Sequence, residues 1–510
     1  MSTSPPRPTN KPAICVEESI EARLNRLGRQ RPSKFKSAWS ELGFCYSVAM
    51  SQALTEYFVS GFNVVLPTIA KDLNIPPATQ TWPANAFSLV IACFLLVFGR
   101  VADMYGGYVV YVGGVSWLTI WALIAGFAQN EIMIDLARAI GGLGPAAYLP
   151  SSLMLLGSIY RPGPRKNIIF SVYGACAPLG FFVGIFFAGV TAQYTTWRWY
   201  FFIGAIISAA TAAISFWAIP SDWSVRKNMD VKMDWWGAVL ISAGLILIVF
   251  AITDSADAPK GWSTPYIYAT MIAGILCLIV ALYVEGWVAE QPLLPFDLFC
   301  VKYMKPLCIA LIFQYGVLGN YLLYATFYMT DVMGGTPMQL VVWYTPLAAG
   351  GCIIATVGGF FLHKIPGTVL ILIAGASYVV SALLFAIIPV DANYWAYIFT
   401  SCLCCTIGID ITFSVTNIFI TTSMPLKRQG LAGALINSLL QLGIALFLGF
   451  GALISKETED QGVRQSYKNV FWFAAACGGV ALLIMAAFVR LREAKSDYTA
   501  DELATMEDSH

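Results

Sequence analysis

Apolar runs of about twenty residues or more, separated by short polar gaps, recur along almost the whole chain. A hydrocarbon core about 30 Å thick is crossed by roughly 20 residues of helix, so each run reads as a membrane span. On that rule spans fall near 43–66, 82–101, 108–128, 131–158, 167–190, 199–219, 235–253 and 265–287. A second series follows at 306–330, 338–362, 368–389, 393–421, 429–454 and 470–491. That is about fourteen, and the runs at 131–158 and 393–421 are long enough to be tilted or to extend into the interface. The gaps group them as six, two and six. The first six end at Pro220, ahead of a charged stretch from Ser221 to Asp234, and a second charged, Pro-containing stretch at 290–305 follows the next two. The pattern predicts an all-α integral membrane protein of two six-helix bundles, residues 41–220 and 304–492. A linker (221–303) would carry two additional spans, and polar tails (1–40 and 493–510) would flank the whole, the first of them disordered.

Composition agrees. The 510 residues are 58% hydrophobic and 12% charged, with 30 basic and 29 acidic side chains, against roughly 25% charged in a soluble domain. Too few charges exist to cover a soluble surface of this size, and the same arithmetic excludes a disordered chain, a nucleic-acid binder and a secreted disulfide scaffold. The charges crowd the tails and the gaps. With the N-terminus in the cytosol, the even-numbered connections hold 12 Lys and Arg and the odd-numbered ones 6, so the positive-inside bias predicts two cytosolic termini. No cleavable signal peptide is visible, and the first span is expected to act as the insertion signal.

Twelve cysteines lie mostly inside apolar runs, Cys402, Cys404 and Cys405 among them, where thiols act as small hydrophobes, and none has zinc-site spacing. The two histidines, His363 and His510, leave nothing for a His-based metal or catalytic site. No phosphate-binding G-x-x-x-x-G-K-[ST] loop, arginine ladder, selectivity-filter loop or catalytic triad is present. An enzyme, an ATP-driven pump and a channel are therefore not expected, and no cofactor is implied.

The remaining signal lies in a few polar elements. Between spans two and three runs Gly99-Arg100-Val-Ala-Asp103-Met-Tyr-Gly106-Gly107, glycines for a tight turn around a carboxylate that could cap a helix N-terminus or pair with a cation. Span four carries Arg138, costly in an apolar helix and hence expected to face a cavity with a partner. By helical rise it lies about 10 Å in, and Glu56 of span one about 15 Å in, so the two could meet; Asp135, one turn before Arg138, is the other candidate partner. Span five holds Gly174-Ala-Cys-Ala-Pro178-Leu-Gly180-Phe-Phe-Val-Gly184, small residues for close helix approach and a proline for a kink.

These elements resemble, in order, the G-x-x-x-D-x-x-G loop, the R-x-x-Q-G-x-G element and the Gly/Pro-rich antiporter element of the major facilitator superfamily. Asn63-Val-Val-Leu-Pro67-Thr-Ile-Ala70 is similar to the span-one ending of its fourteen-span drug:proton antiporters, and Trp82-Pro83-Ala-Asn85 is similar to fungal, aminotriazole-resistance-like members. The chain departs from that pattern in having Gly107 and Tyr108 where basic residues are usual, Gly141 in place of the Gln, and Phe58 where the acidic residue of span one aligns.

The resemblance implies the major facilitator fold and proton-coupled efflux of a small organic toxin, drug or fungal secondary metabolite by alternating access. Gly99, Arg100, Asp103 and Gly106 would form the gating loop, and Gly174, Pro178, Gly180 and Gly184 the helix-packing element. Intramembrane Glu56 and Asp410, with Arg138 tuning them, are the proton-coupling candidates. Asp410 could equally be a structural carboxyl held by Thr412 and Thr416. Gln314, Tyr321 and Tyr324 on one face of span nine, with Asn417 of span twelve, would bind substrate, or Tyr321, Tyr324 and Tyr328 would serve helix packing or an interfacial belt. The expected partners are a small molecule, protons and the lipid bilayer, not nucleic acid, with the protein a monomer in the plasma membrane or the vacuolar membrane. Uptake or export of a small polar nutrient or inorganic anion, and a non-transporting membrane sensor, are the alternatives.

Overall fold

The computed structural model describes residues 30–160, 164–223, 231–294, 296–361, 365–423 and 429–491. Most of the polar tails, and His363 and Lys364 of the second-half loop, lie outside the described residues. Apolar segments of this length can satisfy every backbone hydrogen bond in lipid only as helices, and helices are what form. Six make the first half: α1 (Ala38–Asp72), α2 (Trp82–Tyr105), α3 (Gly107–Gly126), the broken pair α4 (Glu131–Gly141) and α5 (Leu143–Ile159), α6 (Pro164–Tyr194) and α7 (Arg198–Ala218), with α4 and α5 forming one crossing. The two additional helices are α8 (Trp235–Asp254) and α9 (Pro265–Tyr283). The second half is α10 (Met304–Phe327), α11 (Pro337–Phe361), α12 (Gly367–Ala386), α13 (Thr400–Thr422), α14 (Gln429–Glu457) and α15 (Val463–Phe488).

Thirteen segments among the described residues are long and apolar enough to cross a membrane. The fourteenth crossing is α1, whose 35 residues span about 52 Å. Its run of polar side chains (Ser47, Ser51, Gln52, Thr55, Glu56, Ser60) lowers its hydropathy. The expected single span at 131–158 is interrupted at Gly142, where Pro145 lacks the N–H that would bond the carbonyl of Gly141. The long run near 393–421 begins with a π-helical turn, Trp395–Phe399, before α13. An even number of crossings leaves the start of α1 and the end of α15 on one face, here the terminal face; the opposite one is the far face. Hydrogen bonds from Ser40 Oγ to the carbonyl of Ala218 and from Thr368 N–H to that of Leu491 knit the helix ends there.

Within the first half, α1 lies along α6 and α7, and α3 along α5 and α7; within the second, α10 lies along α14 and α15, and α12 along α13 and α15. The halves meet along two seams, α2 against α14 and α6 against α11. The α1–α6 contact is backbone on backbone. A Cβ on Gly180 would overlap the main chain of Ala53, and one on Gly184 would lie 2.7 Å from the carbonyl oxygen of Tyr57, so only glycine allows these helices to approach so closely.

Candidate functional site

The two acidic residues singled out in the spans come together. Glu56 is the nineteenth of the 35 residues of α1, and Asp410 the eleventh of the 23 of α13, so both sit near the middle of their helices. The Asp410 carboxylate acts electrostatically on Glu56. Both are half-buried. One oxygen of Asp410, Oδ2, is fully enclosed and makes no hydrogen bond. It faces Gly351 of α11, where an added Cβ would lie 3.1 Å from that oxygen and 2.7 Å from Cβ of Pro178. The kink proline of α6, a glycine of α11 and the acid of α13 thus meet at one point between the halves.

Around Glu56 the first half supplies a polar lining that sequence reasoning did not single out. Tyr173 of α6 donates its phenol to Gln52 Oε1 at 2.9 Å, and Tyr148 of α5 is hydrogen-bonded to Thr55 at 3.0 Å. Both phenols feel the Glu56 charge. The signal was available in part, since Gln52 and Glu56 are one helical turn apart and share a face. The two tyrosines are brought in only by packing. At the far face the seam is shut: the Met338 N–H donates to Gln193 Oε1 at 2.9 Å, and Val341 and the Pro337 carbonyl press on Gly189.

Arg138 is placed elsewhere. It is 4% exposed; its Nε donates to the carbonyl of Pro83 (3.1 Å) and an Nη to that of Phe58 (3.0 Å), and its guanidinium lies 4.0 Å from the ring centroids of both Phe62 and Phe87. Among the described residues it forms no ion pair with Glu56 or Asp135, and Asp135 Oδ1 is buried without a hydrogen bond. A planar cation between two rings, with two carbonyls at its rim, is a satisfied arrangement that joins α1, α2 and α4.

In the loop between α2 and α3, Gly106 has φ +95°, a left-handed conformation that favours glycine. The next two N–H groups, of Gly107 and Tyr108, donate to Asp222 at 2.9 and 3.1 Å, so the carboxylate that caps α3 comes from beyond α7. Arg100 reaches the ends of the two additional helices: Nε donates to the carbonyl of Lys232 at 3.0 Å, and Nη2 to the carbonyl and side chain of Gln291 at 3.1 and 3.0 Å. Nearby, Glu41 takes a bidentate contact from Arg165 (2.8 and 2.7 Å) and a hydrogen bond from Tyr160 (2.9 Å). The Glu41 contact raises the Arg165 guanidinium above its ordinary value.

The expected substrate stripe on α10 is enclosed in the second half. Gln314 Oε1 accepts from Thr412 at 3.3 Å, Tyr321 bonds Ser401 and Cys402, and Tyr324 packs against Phe327 and Tyr467. All three are at most 1% exposed, leaving no face open to a ligand in this conformation. Asn417 is half-buried, two turns beyond Asp410 on the same face of α13. Gly174 lies one turn before Pro178 on α6, half-buried.

Two helical halves packed along two seams, with two further helices beside them, are the architecture of a secondary transporter. The Major Facilitator Superfamily profile matches residues 48–448, and the chain belongs to that family. Over 492 residues (94% of each chain) it is 32% identical to a low affinity ammonium transporter of Saccharomyces cerevisiae. It is 28% identical to the aminotriazole resistance protein of the same yeast, over 92% of this chain and 88% of that one. Its fold is similar to that of a mutant form of the peptide transporter POT, with TM-score 0.64, 13% identity and coverage of 92% and 99% of the two chains. The protein is a transporter, not an enzyme.

Proposed function

We propose that the protein exports a small organic cation or weak base in exchange for protons, with Glu56 and Asp410 as the shared site. What supports this is that the two carboxylates, one from each half, sit near the middle of their helices and that Asp410 acts electrostatically on Glu56. Two anions facing each other where the dielectric is low repel, and a proton or a cationic cargo relieves that repulsion. Proton and cargo therefore compete for one site, and competition at a site that is open to one side at a time is antiport. The same chemistry argues against an inorganic anion as cargo. Arg138, held by carbonyls and rings, acts by keeping α1, α2 and α4 in register.

The relatives support this reading in two ways. The ammonium of one relative's name is a cation, and the resistance in the other's points to export. The excess of Lys and Arg on the terminal-face connections supports a cytosolic position for that face. We propose a monomer in the plasma membrane, with a toxin or secondary metabolite as natural cargo.

The test uses proteoliposomes and a labelled quaternary ammonium, which cannot accumulate as a trapped weak base. Vesicles with an acidic lumen should concentrate it as protons leave. Glu56→Gln and Asp410→Asn should each lower gradient-driven uptake at least about tenfold, the loss of one interaction with a charged group. Full proton-driven uptake in both variants would show that the carboxylates do not couple transport.

A further inference from the structure

The two helices between the halves, α8 and α9, are bound to the gating end of α2, and the joint contains a second pair of acids. The segment entering α8 and the one leaving α9 are tied to each other: Gln291 Oε1 accepts from the Lys232 N–H at 3.0 Å, and Lys232 Nζ lies 3.4 Å from Glu290. Both segments are held by Arg100, as described. Further along, α8 rests on α2 through Ser242 Oγ, which donates to the carbonyl of Cys93 at 3.0 Å, and through Asn85 Nδ2, which donates to Thr253 at 2.8 Å. Thr253 also faces Gly449 of α14. The insert therefore touches both halves and the gating loop's own helix.

Inside this joint, Asp234 Oδ1 accepts from the Gly237 N–H, capping α8, and Glu285 Oε2 accepts from the Leu294 N–H, each at 2.9 Å. The other two oxygens, Asp234 Oδ2 and Glu285 Oε1, are buried and make no hydrogen bond. They stand against the same small space, because a Cβ on Gly237 would overlap both of them. Neither carboxyl forms an ion pair among the described residues. The charged groups on the neighbouring segments are Arg100 and Asp103 on α2, Lys232 ahead of α8, Glu290 after α9 and Asp297 in the turn Phe296–Cys300. Arg100 is engaged by neutral oxygens, and Lys232 by Glu290.

Two buried carboxyl oxygens side by side, with no cation between them, satisfy each other only if one carries a proton and donates it to the other. We propose that Asp234 and Glu285 share a single proton, and that this pair and the Arg100 clamp form a latch fixing the α8–α9 insert to the gating end of α2. When the proton leaves, two adjacent buried anions repel, the ends of α8 and α9 part, and the insert releases α2. The latch lies at the terminal face, far along α2 from the Glu56–Asp410 site, and operates whatever the cargo.

The experiment needs no cargo. Hydrogen exchange of the full chain in lipid nanodiscs is followed at the Gly237 and Leu294 amides from about pH 5 to about pH 9, a range that brackets a shared carboxyl proton. After correction for intrinsic base catalysis, exchange in the wild type should rise at least about tenfold toward the alkaline end, the scale of one lost charge-assisted bond. Asp234→Asn and Glu285→Gln each supply a permanent donor to the other acid and should remove that rise. Gly237→Ala inserts a methyl group between the oxygens with no change of charge and should give fast exchange at every pH. Arg100→Gln should loosen residues 231–237 and 284–294 even at acid pH. If wild type and Asp234→Asn show the same pH profile, no proton is shared; if Arg100→Gln leaves both segments protected, the pair is not coupled to α2. A variant that does not fold leaves the wild-type profile to decide, since a flat one overturns the latch.

Discussion

The setting of Arg138 makes lysine a worse replacement than methionine. The guanidinium holds two carbonyls on different helices and lies between two rings, each 4.0 Å away. Lysine keeps the charge and so keeps the cost of burying it, several kcal/mol for an ion out of water. Its single ammonium cannot span both carbonyls while stacking on both rings. One charge-assisted bond (about 1.5–3 kcal/mol) and one desolvated cation–π contact (about 2 kcal/mol) are lost, some 3–5 kcal/mol. Methionine loses all of the contacts but also the burial cost, and its flexible thioether fills much of the space, leaving it within about 2 kcal/mol of wild type. The assay is thermal unfolding of purified protein in nanodiscs, followed by tryptophan fluorescence. Arg138→Lys should unfold about 5 °C below wild type and Arg138→Met within about 2 °C of it. Transport should fall in both, since neither holds α1, α2 and α4 in register. The reasoning is refuted if Arg138→Lys matches wild type while Arg138→Met is the less stable of the two.

Gly180→Ala would push a methyl group into the main chain of Ala53, an overpacking cost of about 1–3 kcal/mol that should appear as a lowered unfolding temperature, whereas Gly479→Ala, in open space, should unfold as wild type. Asp222→Ala removes the acceptor of two α3 N–H groups and should cost about 1 kcal/mol, with faster exchange at Gly107 and Tyr108; Asp222→Asn, which keeps one acceptor, should fall between. Gly106→Ala, at φ +95° and with its Cβ 2.7 Å from Asp222 Oδ1, should lower transport and speed exchange at Gly107 and Tyr108, because it strains the turn and displaces the carboxylate that caps α3.

The spans were legible because lipid leaves the backbone one choice, and a run of apolar residues makes it in place. Their order, the Gly106 turn and the isolated charges at 56, 138 and 410 could all be read along the chain. What each charge touches could not. Helical rise put Arg138 and Glu56 at similar depth, but depth carries no azimuth, and Arg138 turned to Phe58 and Pro83 while Glu56 turned to the other half. The polar stripe of α10 was visible as a stripe; which neighbour it faced was decided by the packing of α12, α13, α14 and α15. Asp222, Asp234 and Glu285 lie in or beside linker segments, where hydropathy is silent about partners.

The glycine contacts between α1 and α6 have a consequence for how the halves can move. Helices whose main chains touch cannot slide past each other, so α1 and α6 travel as one body and carry Glu56 and Pro178 with them. Asp410 travels with the opposite body. The separation of the two acids is then a gauge of the transport cycle. A compact cargo bound to one acid leaves that gauge free to change, whereas a stiff molecule with two cationic ends spaced to grip both acids would hold it at one reading. Such a molecule would bind well and never be carried.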